Sequence, residues 1–145
     1  MKPPATANAT PFAPHSNPRR IAMKNLSQIR AANALKHGKK FAGQEDGDVI
    51  KGFPMLILTN GLLAVGAMAL EKNDKGIPKQ QGAHDILTAI AEHLQSPGIT
   101  ITTAKAKDAR SLIEELVSTN ADAALLRRAT AETLAFLSYL KRFAT

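Results

Sequence analysis

Arg127, Arg128, Lys141 and Arg142 project within about 140° of one another on a helical wheel, the two pairs about 22 Å apart at 1.5 Å per residue. A bar of cations that long can meet several phosphates of a nucleic-acid backbone. Earlier in the chain Lys24, Lys36 and Lys39 fall within about 120° of one another on a second wheel, and Arg30 and Lys40 belong to the same stretch. These nine residues form the candidate phosphate-contacting set. The plainer reading of the same pattern is a solvated helix face, with Lys141 and Arg142 complementing the dipole of a helix C-terminus.

Other chemistry finds little support. The chain has no Walker-type glycine loop, no His-Glu-x-x-His and no nucleophile elbow. His15, His37, His84 and His93 are scattered, and the nine-residue step from His84 to His93 puts them about 180° apart on a helix, wrong for sharing a metal. Glu45, Asp46 and Asp48 form an acidic cluster without the ligand number or spacing of a dedicated cation site. Without cysteine there is neither a disulfide framework nor a thiolate metal site, which fits a reducing, cytoplasmic setting. The sequence therefore predicts a non-enzyme with no metal and no cofactor.

The cations need elements to hold them. At 145 residues the chain is long enough for one domain with a real core. Residues 1–44 hold eight basic residues and no acidic one, so the N-terminal third alone makes the protein basic. That asymmetry favours a polyanionic partner. Residues 1–20 carry five prolines among Ala, Thr and Asn, the composition of a disordered tail, and residues 21–145 form the helical domain. Arg19 and Arg20 faintly echo an export signal, but the uncharged apolar run such a signal needs is interrupted by Arg30, Lys36, Lys39 and Lys40, so export is excluded.

The organising stretch is Phe53–Leu70, which carries no charge and is apolar all round. It is expected as one helix opening at Pro54 and buried as the axis of the fold; a membrane span is the lesser reading, disfavoured by Pro54, Asn60, Gly61 and Gly66. The two glycines suggest close approach of another helix. Around this axis the pattern predicts a helix from Asn25 or Ser27 to about Phe41 and a loop at Gly43–Gly47. After a turn-rich connector come helices over Ala83–Gln95, about Lys107–Ser118 and Ala121–Ala144. Ile99–Thr103 is β-branched but has no strand to pair with, and reads as an extended connector. The fold class is all-α, a compact single-domain bundle of about five to six helices around a central apolar helix.

The combination of Gln28, Arg30, Ala31 and Ala34, then Pro54, Ile57, Asn60, Gly61 and Leu62, then Arg127, Thr130, Glu132, Leu134, Leu137, Leu140, Lys141, Arg142 and Phe143 resembles the small subunit of the type III-B CRISPR effector, the Cmr complex. The resemblance covers residues 25–144, and SYLKRFA at the end is its most specific part. It implies an all-helical, non-catalytic subunit acting in antiviral defence. Copies of it would stack along an RNA-guided complex, beside other subunits and the paired guide and target RNA. Of the nine candidate cations, Arg30, Arg127, Lys141 and Arg142 belong to the resembling pattern; the rest stand on charge placement. A guide–target duplex is held by its backbone and shape, and with no Trp and one Tyr a base-stacking platform is not expected. The alternative is a helical adaptor that binds only protein.

Overall fold

The computed structural model describes residues 24–41 and 44–144, with backbone alone for 44–47. The proline-rich segment 1–20 lies outside the described residues. Asn25 opens the first helix, α1 (Leu26–Gly38), through a capping box. Its side chain accepts from the Gln28 N–H at 2.9 Å and its own N–H donates to the Gln28 side chain at 3.0 Å, so two orphan backbone donors are satisfied. One turn of 3₁₀ helix, Lys39–Phe41, comes next and plugs Phe41 into the core.

The apolar stretch departs from the expected single helix. Helix α2 runs Gln44–Asn60 and helix α3 runs Leu62–Leu70. Between them Gly61 adopts φ +90°, a conformation a side-chain-bearing residue rarely adopts. The break lasts one residue, since the Gly61 N–H still bonds Ile57 O and Val65 N–H bonds Gly61 O. Gly61 therefore serves conformation, with open space where a Cβ would stand, whereas Gly66 serves close approach: a Cβ there would run into Ile113. Pro54 lies inside α2 and not in its first turn, because helix starts ten residues earlier, at Gln44. The loop expected over Gly43–Gly47 is helical from Gln44 on.

Neither half of the stretch is wrapped on all sides. Ile50, Phe53 and Ile57 face the core, while Met55 and Leu58 are 64% and 66% exposed. The most completely covered helix is α4 (Gln81–Gln95), where Ala83, Ile86, Leu87, Ile90, Ala91 and Leu94 are all buried. The connector before it is a tight turn in which the Asn73 side chain accepts from the Lys75 and Ile77 N–H groups. Helix α5 (Ala109–Leu116) is capped by Asp108 and helix α6 (Ala123–Phe143) by Asp122. Ile99–Thr103 forms turns and bends; the described residues contain no strand, only one isolated bridge between Lys72 and Pro78.

Among the described residues six helices thus share one core in an all-α domain. Helix α1 lies along α6, its most extensive partner, while α4 touches α1, α2, α3, α5 and α6. No helix among the described residues is long and apolar enough to cross a membrane.

Candidate nucleic-acid interface

The nine candidate cations separate into three environments. Arg30 is turned inward. Its Nε and Nη2 donate to the two carboxylate oxygens of Glu132, each at 2.7 Å, a bidentate pair of the strong, geometrically specific kind. Arg30 was expected among the phosphate-facing residues, and its forked donors are instead committed to holding α1 on α6.

Glu132 is the hub of a buried polar chain. His93 Nε2 lies 2.9 Å from the same carboxylate, and Asn33 Nδ2 lies 2.9 Å from His93 Nδ1 and donates to Ser96 Oγ at 3.0 Å. Since the Asn33 amide nitrogen can only donate, Nδ1 accepts and Nε2–H is the donor to Glu132. The imidazole stacks on Phe136, centroids 4.3 Å apart. Burial lowers the His93 pKa, outweighing the Glu132 carboxylate that favours its charge. Burial would raise the Glu132 pKa, but hydrogen bonds from Arg30 and His93 outweigh it and hold the carboxyl below the usual range. The Arg30 guanidinium is raised by the same hydrogen bond. This chain ties α1, α4 and α6 together and was missed from sequence. Its signal was Glu132 itself, an acid set among Ala129, Thr133 and Phe136 on a core-facing stripe.

Lys36, Lys39 and Lys40 form the second environment together with Lys141 and Arg142. All five are exposed. The C-terminal ends of α1 and α6 converge because Gly38 sits against the Phe143 carbonyl, where a Cβ would come within 2.7 Å of that oxygen. The helix ends that carry Lys36 to Lys40 and Lys141 to Arg142 therefore finish side by side, which no sequence wheel shows. Lys40 lies 3.9 Å from Asp85, a long and exposed pairing. Lys24 stands exposed before α1.

Arg127 and Arg128 form the third, near the start of α6, exposed and about 20 Å along that helix from Lys141 at 1.5 Å per residue. Among the described residues no carboxylate lies within ion-pair distance of Arg127, Arg128 or Lys141. Arg127 lines an open trough of about 620 Å³ between the Gly61 break and α6. A second trough, of about 630 Å³, lies between the 101–105 loop and α5, with Lys105, Glu114 and Glu115 on its walls. Among the described residues no three His, Asp or Glu side chains gather as a metal site. The side chains of Glu45 and Asp46, part of the acidic cluster in the sequence, lie outside the described residues.

Fold and site together define a small all-α protein whose exposed cations collect where two helices end. Residues 24–145 match the family model described as CRISPR-associated protein (Cas_Cmr5), and the chain belongs to that family. No curated protein matches it. No solved structure does either.

Proposed function

We propose that this chain is the non-catalytic small subunit of a type III-B RNA-guided complex, active in cytoplasmic antiviral defence, and that it grips the guide–target RNA backbone electrostatically. Family membership supports the complex. The observation that carries the RNA reading is the convergence at Gly38 and Phe143, which gathers Lys36, Lys39, Lys40, Lys141 and Arg142 at one end of the domain. Arg128 and Lys24 extend the contact set along its flanks; Arg30 is left out because Glu132 holds it. Cations in a row suit a partner whose sequence is read by base pairing.

The test is fluorescence-anisotropy titration of a guide–target duplex. Replacing Lys39, Lys40 and Lys141 together by Glu is expected to weaken binding at least tenfold, since each phosphate contact releases counterions. The same reversal at Lys72, Lys75 and Lys79, on the connector before α4, is expected to change it little. Equal losses from the two triples would leave net charge alone as the cause and remove the site.

Protein contact is favoured by a separate observation. Met55 and Leu58, three residues apart on α2 and so neighbours on its surface, are both largely uncovered. Stacking between copies or docking on neighbouring subunits would cover them, so adaptor and RNA-contact roles coexist on different faces.

A further inference from the structure

We infer that the trough between the Gly61 break and α6 is a docking groove for a segment of a partner protein subunit that presents an aliphatic side chain next to a carboxylate. The inference rests on the reading that the chain works within a larger assembly, and assigns Arg127 to protein and not to RNA.

The trough exists because the apolar stretch breaks. Gly61, at φ +90°, ends α2 and lets α3 begin afresh at Leu62, and the trough lies between this break and α6. Its floor and walls are mostly aliphatic, Leu62, Leu63 and Ala64 on one side and Leu126, Ala131 and Leu134 on the other, with the exposed Asn60 at the end of α2 also lining it. The hydroxyl of Thr130, also in the wall, is satisfied within its own helix by donating to the Leu126 carbonyl at 2.8 Å. One charged group stands at the lip, the Arg127 guanidinium, and among the described residues no acidic side chain lines the trough. Hydrocarbon beside an unanswered cation is complementary to hydrocarbon beside an anion.

Three kinds of occupant share that chemistry, and the groove separates them. A small amphipathic acid needs a pocket that encloses most of its surface, whereas this trough of about 620 Å³ lies open to solvent. A nucleic-acid strand would supply phosphate for Arg127, but among the described residues no aromatic ring lines the trough to stack a base. Beside Arg127 only Asn60 and Thr130 bring polar side chains, the Thr130 hydroxyl already donating within its own helix, so the mostly aliphatic floor gives little to a sugar-phosphate chain. A protein segment satisfies both halves at once. Its aliphatic side chain gains from leaving water, and its Asp or Glu forms a charge-assisted pair with a guanidinium that needs little reorganisation.

The experiment uses the full chain joined to the other subunits of its own complex and guide RNA. With p-benzoylphenylalanine in place of Ala131, an exposed wall residue, irradiation should give an adduct to a partner-subunit segment with an aliphatic residue adjacent to Asp or Glu. In titrations of labelled chain into complex lacking it, Arg127→Gln should bind about tenfold more weakly, the scale of one charge-assisted bond. Ala64→Asp should weaken binding similarly by repelling the incoming carboxylate. It should not harm folding, because an acid in the first turn of α3 suits the helix dipole. Lys75→Gln should bind as the unmodified chain does. An adduct to RNA, an adduct to a second copy, or full binding by both variants overturns the inference. If the unmodified chain itself fails to join the complex, the proposed function falls instead.

Discussion

Arg30 and Lys39 lie nine residues apart on one continuous stretch, yet the first is clamped by a buried carboxylate and the second stands in water. The difference is one of neighbours, not of residue type. Arg30 meets the core-facing stripe of α6, where Glu132 waits; Lys39 follows the point where Gly38 touches Phe143 and is exposed, while Phe41, two residues on, takes the core-facing side of that turn. A cation on the inner side of a helix contributes to fold, and one past its end is free to contribute to binding. Each side of this contrast should respond differently to substitution.

The largest effect is expected inside. Glu132→Ala strands the Arg30 guanidinium and the His93 N–H together, and removing one partner of a buried pair costs about 3–5 kcal/mol. Urea unfolding should show it, while Lys39→Ala in the same assay should stay within about 0.5 kcal/mol of the unaltered protein. Equal, small effects would show the triad to be as dispensable as the surface.

Helix α2 allows the same contrast between adjacent residues. Ile57, 1% exposed, should cost about 2–5 kcal/mol as Ala, whereas Leu58, 66% exposed, should cost a few tenths, about 0.5 kcal/mol at most. A large loss at Leu58 in the isolated chain would mean that α2 is covered there after all.

Glycines sharpen it further. Gly38→Ala pushes a methyl into the Phe143 carbonyl and should cost roughly 1–3 kcal/mol, the range of overpacking. Gly52 in α2 has open space around it, so Gly52→Ala should stabilise by about 0.5–1 kcal/mol. A neutral Gly38→Ala would loosen the convergence on which the cation cluster depends.

The smallest effect is in pH. His93 is lowered by burial, and so is His37, against the pull of Glu92. In the unfolded chain both titrate near about 6.5, so below that pH the unfolded state takes up protons more readily. Stability is fully present above this value and is lost as pH falls toward the folded pKa values. Glu132, also lowered, adds the same sign at more acid pH. The urea midpoint should drop between pH 7.5 and 5.5, with a shallower drop in His93→Gln, where His37 alone remains. An unchanged slope would separate His93 from the stability of the fold.

Helix positions were legible where local chemistry speaks for itself: the start of α1 at Asn25 and the 3.6-residue patterns of α4 and α6. The all-α class came from them. What sequence concealed were relations between distant elements. A run apolar on every side suggested one buried axis, but Gly61 breaks it and leaves Met55 and Leu58 in water, because burial depends on what else is available to cover a face. The cations were visible as types, while their sorting into inner and outer sets depends on Glu132 lying opposite Arg30, 102 residues away.

The most direct test of the outer set is the salt dependence of RNA affinity. For the chain with Lys36, Lys39, Lys40 and Lys141 replaced by Gln, the plot of log K against log salt should flatten by about 0.7–0.9 for each phosphate no longer neutralised, with an unchanged helical CD spectrum. Affinity and slope both equal to those of the unaltered chain would contradict it, leaving those lysines as a solvated helix end.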